Sequence, residues 1–177
     1  MMIIRRLFVV PLANNDHGKT SIVNALLSQG LGGTSPERKG PRILISPSGR
    51  KIDAYVFVRS FQETEKRTHK NVAKALKEND SDWKKRELII LPSHVTGSQT
   101  DVQEIIKLAH HAGFDIIGAA VLLDSDKRSH LADIWELGWD ERWTVPNPNR
   151  DGRTTRSAQL QALGRDLWMW ICKALVP

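Results

Sequence analysis

The stretch RRLFVVPLANNDHGKTSIVNALL, residues 5–27, carries the strongest fold signal in this chain. Residues 7–12 form a continuous apolar run, which is typical of a central strand covered on both faces. Residues 13–20 are small and polar, and the residues after them repeat apolar side chains at helical spacing: Ile22, Val23, Leu26 and Leu27. A strand, a tight polar loop and an amphipathic helix are therefore predicted in that order.

The rest of the chain alternates between the two periodicities. The β-rich runs 43–45 and 52–58 flank SPSGRK, which predicts a hairpin. Ser60 and Glu63 form a capping-box pattern, and the helix that they open is predicted to continue towards Glu78. Further strands are predicted at 88–91, 116–123 and 143–145, and further helices from Thr100, around Leu131 to Trp135, and from about Thr155 to Leu175. The pattern predicts an α/β fold with a mostly parallel sheet and a hairpin at one edge.

Length and composition favour an ordinary globular protein. With 177 residues, of which 40% are hydrophobic, residues 1–177 are expected to form a single domain. The N-terminal apolar run is too short for a membrane helix, so no transmembrane segment is expected. Cys172 is the single cysteine, which excludes an internal disulfide and favours a reducing, cytoplasmic location.

The chain is basic, with a formal charge of +6. This charge is compatible with an acidic partner and does not choose among nucleotide, nucleic acid and anionic membrane. Basic residues crowd the segment 66–86, where four lysines at spacings of three or four are expected to share one helix face: Lys66, Lys70, Lys74 and Lys77. Such a face could contact nucleic acid, or it could simply be solvated.

The C-terminal helix has more apolar surface than one core stripe requires. Trp168, Met169 and Trp170 extend around the helix beyond the stripe. Extra apolar surface of this kind is typical of an interface, so a homodimer through the tryptophan-rich helix is one expectation. Trp135, Trp139 and Trp143 are expected to pack together around a turn.

The polar loop has the residues that phosphate binding requires. A phosphate site at a helix N-terminus needs inward-pointing backbone N–H groups and a nearby ammonium. Gly18 allows the tight turn, Lys19 can reach the β- and γ-phosphates, and Thr20 can offer its hydroxyl to Mg²⁺. The residues expected around a bound nucleotide are Ala13, Asn14, Asn15, Asp16, His17, Gly18, Lys19, Thr20 and Ser21.

The first eight of these residues, 13-ANNDHGKT-20, resemble the phosphate loop (Walker A motif) of the P-loop NTPases, (A/G)-x-x-x-x-G-K-(S/T). The resemblance implies a three-layer P-loop NTPase-like fold that binds a nucleotide with Mg²⁺. Within the superfamily the chain partly resembles the ParA/MinD-like ATPases of the plasmid-partition type, although Asn14 stands where that group has a lysine. The string DHGKT is similar to the loop of translation-factor GTPases. Because the chain lacks their N-K-x-D element, ATP is expected rather than GTP.

The second motif departs from the family. The resemblance implies an aspartate at the end of a buried strand to hold the magnesium shell, and Ile90 takes that place in 88-LIILPSH-94. An isoleucine cannot ligate a hard cation through oxygen. Asp124 is the replacement that we expect beside Thr20, and Asp16, Asp53 and Asp126 are further carboxylates to consider. Otherwise the metal is held more weakly, or hydrolysis is slow or absent.

Two other loops contribute candidate residues. Ser93 and His94 are expected where a γ-phosphate sensor would lie, and with Lys19 they form the candidate catalytic set. His94 could orient water, or it could simply hydrogen-bond the backbone turn. Asn147 and Asn149 could read the edge of adenine, or they could simply form a turn.

The sequence leaves three functions open. The first is a small ATPase-type switch whose nucleotide state controls dimerisation, partner binding or DNA binding. The second is a phosphotransferase with an arginine lid in 149–156, formed by Arg150, Arg153 and Arg156, and with Asp53 or Asp124 near the acceptor. The third is a nucleotide-gated binding module that does not hydrolyse its ligand, which the missing aspartate favours.

Overall fold

The computed structural model describes residues 4–14, 18–33, 38–122, 128–147 and 157–175. Its centre is strand β1, Leu7–Leu12, every residue of which is buried. Parallel strands flank β1 on both sides and hydrogen-bond to it. Helices can therefore cover both faces of β1, which explains why its sequence is apolar without alternation.

The described residues form one six-stranded sheet with the order β2-β3-β4-β1-β5-β6. The remaining strands are β2 Gly40–Ile45, β3 Lys51–Val56, β4 Leu88–Ile90, β5 Asp115–Leu122 and β6 Glu141–Pro146. Strands β2 and β3 form the antiparallel hairpin, and the pairings from β3 to β6 are parallel. The predicted α/β fold with a mostly parallel sheet and an edge hairpin is confirmed.

The described residues also form six α-helices: α1 Lys19–Leu31, α2 Lys66–His69, α3 Val72–Asn79, α4 Gln99–His111, α5 Arg128–Trp135 and α6 Ser157–Leu175. All of them except the short α2 contribute buried or partly buried side chains to the core on one face of the sheet. Alternate residues of β1 enter two separate hydrophobic clusters, as expected for the period of a strand. Leu7 and Val9 pack with α1 and α6, whereas Phe8 and Val10 pack with α3, α4 and α5.

The single helix predicted from Ser60 towards Glu78 is wrong. The segment begins with a π-helical turn, Phe61–Glu65, continues as the short helix α2, and breaks at Lys70, where φ is +68°. Asn71 then starts α3 by accepting a hydrogen bond from the N–H of Lys74 through its side chain. The side chain of Asn71 can satisfy an orphan N–H at a new helix start, and this local bond competes with continuation of the helix.

The break also corrects the predicted basic helix face. Lys66 precedes it and Lys74 follows it, so the four lysines do not lie on one continuous helix. Lys66 forms an ion pair with Asp101, and Lys74 lies 3.7 Å from Glu78. Part of the positive charge that was predicted to contact a nucleic acid is thus compensated by acidic residues of the same chain.

The tryptophans divide between the two sides of the sheet. Trp135 and Trp139 make the edge-to-face contact expected around their turn, but Trp143 instead contacts Trp170 of α6. Trp168 is buried in the core, and Met169 is 40% exposed. Much of the extra apolar surface that was predicted to form a dimer interface is therefore covered by the chain itself.

Within the described ranges, no helix combines the length and the apolar character that a membrane crossing requires.

The connections that follow β1 and β4 leave the sheet towards opposite faces, and open α/β sheets form their ligand crevice at such a position. From β1 the chain enters α1 on one face, whereas from β4 it enters α4 on the opposite face. Loops that leave adjacent parallel strands towards opposite faces diverge, and ligands of open α/β sheets bind in the gap beyond the carboxyl ends. Lys19 lies at the start of α1, after β1, and the loop after β4 carries Ser93 and His94.

Candidate functional site

Gly18 sets the turn from the loop into α1. Its backbone has φ 85° and ψ 8°, a left-handed conformation that glycine adopts without a steric penalty. Its carbonyl accepts the first helical hydrogen bond, from the N–H of Ile22 at 2.9 Å. The glycine predicted for a tight turn is therefore at the position where the backbone requires one.

Lys19 is a buried lysine, only 4% exposed, in the first turn of α1. Its ammonium donates a hydrogen bond to the carbonyl oxygen of Ala13 at 2.8 Å. This bond joins the start of α1 to the residue that follows β1. Burial lowers the pKa of Lys19 to about 8, and the negative charge of Glu63 opposes this shift. A buried cation of this kind favours an anion as a neighbour, because the anion would compensate its lost hydration.

Glu63 and His94 form a pair close to this ammonium. The Nε2 atom of His94 lies 3.4 Å from Oε1 of Glu63. Burial alone would raise the pKa of Glu63, but the charge of Lys19 and hydrogen bonds from His94 and Ser60 hold it below its ordinary value. Burial and the charge of Lys19 lower the pKa of His94, against the effect of Glu63.

These shifts indicate the protonation states of the pair near neutral pH. Glu63 is ionised and His94 is neutral. An ionised carboxylate only accepts hydrogen bonds, so Nε2 of His94 carries the proton and Nδ1 keeps its lone pair. The pair thus supplies a neutral imidazole whose tautomer is fixed by a carboxylate.

Ser93 is fully buried and tied to Gln62 in the π-helical turn. The amide Nε2 of Gln62 donates to Oγ of Ser93 at 3.0 Å, and its Oε1 accepts from the N–H of His94 at 3.0 Å. Gln62 also contacts Asp101, whose carboxylate pairs with Lys66 at 2.9 Å. The hydroxyl proposed as a phosphate sensor therefore belongs to a packed polar network.

Asn14 joins the two loops of the crevice. Its Oδ1 accepts from the N–H groups of Val95 at 3.2 Å and Thr96 at 3.0 Å, and its Nδ2 donates to Oγ1 of Thr96 at 3.1 Å. The backbone N–H of Ala13 donates to the carbonyl of Ser93 at 3.2 Å. Asn14 therefore links the segment after β1 to the segment after β4.

The remaining predicted residues divide into two groups. Thr20 and Ser21 follow Lys19 on α1, and the buried Asn147 follows β6 and accepts a hydrogen bond from Gln159 at 2.7 Å. The other predicted side chains lie outside the described residues: Asn15, Asp16, His17, Asp124, Asp126, Asn149, Arg150, Arg153 and Arg156.

Two of the positions considered for metal binding, Ile90 and Asp53, are not placed to ligate a metal ion in the crevice. Ile90 is fully buried and in register with Val9, three residues before β1 ends. Asp53 precedes Ala54 at the amino end of β4, and it pairs with Arg86 at 2.7 Å. The rise of a strand places Asp53 about 20 Å from the loop after β1. Asp53 is therefore not brought to the crevice.

The sequence patterns missed Gln62 and the second role of Glu63. The capping box identified Glu63 only as a helix cap, and its Oε2 does accept from the N–H of Ser60 at 3.2 Å. Its approach to Lys19 and His94 depends on the packing of the π-helical turn against β4, where the N–H of Phe61 donates to the carbonyl of Pro92. One sequence signal was available for this role. Gln62 and Glu63 are polar residues at the start of a helix that follows the carboxyl end of a strand.

Among the described residues, no group of three or more His, Cys, Asp or Glu side chains is placed to hold a metal ion. In comparisons with known proteins, the chain matches no protein-family model and no curated sequence.

Proposed function

We propose that this protein binds a nucleoside triphosphate with Mg²⁺ at the loop after β1 and acts as a small ATPase-type switch. The observation that carries the proposal is the buried ammonium of Lys19, held at the start of α1 beside the crevice between β1 and β4. Burying a cation costs hydration free energy, and a bound anion would offset that cost. A buried lysine at a helix start therefore favours a role in anion binding. The basic overall charge of +6 would also attract a polyanionic ligand.

The residues divide the binding work by chemistry. The amino end of α1 offers unpaired N–H groups and a partial positive charge to the phosphates. Lys19 would exchange its bond to the Ala13 carbonyl for the β- and γ-phosphate oxygens. ATP is proposed over GTP because the sequence lacks the N-K-x-D element that reads guanine.

The described side chains suit a magnesium ion held mainly by the ligand. Thr20 can supply one hydroxyl, and Mg²⁺ usually keeps several waters and takes its other ligands from phosphates. Ile90 contributes nothing to this shell because it is part of the core. This arrangement supports binding more directly than it supports fast hydrolysis.

Glu63 and His94 are the groups that could assist hydrolysis. With Nε2 bound to Glu63, the Nδ1 lone pair of His94 could accept a hydrogen bond from a water beside the γ-phosphate. Ordering that water would make the protein a slow hydrolase whose switch is set by the bound nucleotide. Without this assistance the same site would be the nucleotide-gated module.

The experiment that tests the proposal is a calorimetric titration of ATP and GTP, each with and without Mg²⁺. Wild type is compared with Lys19→Ala and with Lys107→Ala, which removes an exposed lysine from α4. We expect magnesium-dependent ATP binding in wild type and Lys107→Ala, and a loss of at least about tenfold in Lys19→Ala. Equal affinity in all three proteins would contradict a phosphate site at Lys19.

Phosphate release then separates the possible activities. Release from ATP without any acceptor supports the ATPase switch, whereas tight binding without release supports the gated module. Phosphoryl transfer to an added acceptor in place of release would favour the phosphotransferase.

A further inference from the structure

A cavity of about 410 Å³ lies beside the π-helical turn, and its lining includes neither Lys19 nor Glu63 nor His94. It opens where β3 ends and β2 begins, since Gly40 is paired with Val56 at that end of the hairpin. Its lining residues are Arg38, Lys39, Phe57, Val58, Arg59, Thr64 and Glu65. The π-helical turn therefore carries Glu63 towards Lys19 and carries Thr64 and Glu65 into this cavity.

The cavity combines an apolar wall with positive charge. Phe57 and Val58 are buried and form part of the wall. Arg38 and Arg59 are exposed at the cavity, and within the described part of the chain the guanidinium of Arg59 has no ion pair or hydrogen bond. An arginine without a partner beside apolar surface can offer a planar, two-point contact to an anion.

Glu65 is the single acidic residue of the lining, and its charge is compensated. It is 1% exposed and contacts Nζ of Lys39 at 2.5 Å, Nδ2 of Asn79 at 2.7 Å and Nε2 of His69 at 3.3 Å. Because Lys39 compensates Glu65, the charges of Arg38 and Arg59 are in excess among the described lining residues. The cavity therefore favours an anion over a cation.

We propose that this cavity binds a small organic anion with an apolar body, such as an aromatic or alkyl carboxylate, sulfonate or phosphate monoester. Its volume lies within the range of small-molecule sites. The apolar part packs on Phe57 and Val58, and the acid group contacts Arg59 and Arg38. The site is separate from the phosphate loop, so binding does not require a nucleotide.

The test uses a pair of probes that differ in charge. 8-Anilinonaphthalene-1-sulfonate carries a sulfonate on an aromatic body, and N-phenyl-1-naphthylamine is its uncharged counterpart. Both are titrated by fluorescence into the folded protein without nucleotide. We expect the sulfonate to bind about tenfold more tightly than the neutral probe, because it gains charge-assisted contacts.

Variants locate the binding to this cavity. Arg59→Gln should weaken the sulfonate about tenfold and leave the neutral probe unchanged. Arg165→Gln, a matched change at an exposed arginine of α6, should alter neither probe. Thr64→Trp should block both probes by filling the cavity, with circular dichroism used to confirm a folded protein.

The proposal is overturned if the two probes bind wild type equally, or if Arg59→Gln leaves the sulfonate affinity unchanged. Should Arg59→Gln fail to fold, Arg38→Gln makes the same comparison at the other exposed arginine of the lining. Unchanged binding of both probes to folded Thr64→Trp would also overturn it, because the probes would then bind elsewhere.

Discussion

Gly164 of α6 lies so close to Ala25 of α1 that a Cβ atom built on Gly164 would stand 2.5 Å from the Cβ of Ala25. The same atom would lie 2.6 Å from the carbonyl oxygen of Ile22 and 3.0 Å from the backbone nitrogen of Leu26. Because two of these neighbours are backbone atoms, no side-chain rotation can relieve the contact. The helix that begins with Lys19 is thus fixed against the last helix of the chain.

Replacing Gly164 by alanine is expected to destabilise the fold by about 2 kcal/mol. Alanine gains about 1 kcal/mol of helix propensity over glycine, but overpacking against the backbone of α1 costs more than this gain. The free energy of unfolding is measured by urea titration. Gly33→Ala serves as the control, since a Cβ at Gly33 has no neighbour within 4 Å. A Gly164→Ala protein as stable as wild type would show that α1 and α6 can separate without cost.

Replacing Lys19 by methionine is expected to stabilise the protein while removing triphosphate binding. The pKa of Lys19 falls from 10.5 to about 8, so the charged form is disfavoured in the folded state. Near neutral pH, the free energy of unfolding of Lys19→Met should exceed that of wild type by about 2 to 3 kcal/mol. Urea titration measures this difference. Between pH 8 and 10.5 the unfolded lysine binds more protons, so wild type gains stability as the pH rises and the difference from Lys19→Met narrows. A loss of stability in Lys19→Met would contradict a buried, poorly compensated charge.

Triphosphate affinity should depend on pH through the same ammonium. Below a pKa of about 8, Lys19 is protonated in the free protein and can contact a phosphate. Above that value, affinity should fall about tenfold for each pH unit, because the proton must be restored before binding. Calorimetry at constant ionic strength from neutral to mildly alkaline pH measures the change. A flat profile over that range would mean that another group supplies the positive charge.

Changing Glu63 to glutamine should lower the pKa of His94 further and slow any hydrolysis. Glu63 acts against the burial and the charge of Lys19 that already lower the pKa of His94. An NMR titration of the imidazole protons reports the pKa, and phosphate release is expected to fall about tenfold or more if His94 orients water. Glu136→Gln, at an exposed position after α5, should change neither quantity. An unchanged His94 titration in Glu63→Gln would show that the two side chains are not coupled.

Introducing an aspartate at Ile90 should disrupt the fold and not restore a metal site. Ile90 is fully buried beside Val9 in the central sheet. A carboxylate there has no partner, and the expected loss is more than about 3 kcal/mol, against about 1 kcal/mol for Ile90→Val. Thermal unfolding with and without Mg²⁺ measures the loss of stability in each variant and any stabilisation by the metal ion. A stable Ile90→Asp protein whose melting temperature rises with Mg²⁺ would place Ile90 at the crevice after all.

The sequence by itself determined the parts of the molecule that depend on local patterns. An unbroken apolar run gave the central strand, and a glycine before Lys19 marked the left-handed turn into α1. The alternation of strands and helices predicted the parallel sheet, and the turn residues of 46–51 predicted the hairpin. These features follow from side-chain period and backbone preference, which neighbouring residues carry.

Only the tertiary structure decided which distant side chains meet. Glu63 reads as a helix cap in the sequence, and packing of the π-helical turn beside β4 places it near Lys19 and His94. Trp143 pairs with Trp170 because the sheet order brings β6 next to α6. No local pattern contains such distances, since they depend on how separate elements pack and on which strand order the chain adopts. The sequence therefore determined the left-handed turn at Gly18 and the helix after it, and tertiary packing decided the charges that surround Lys19.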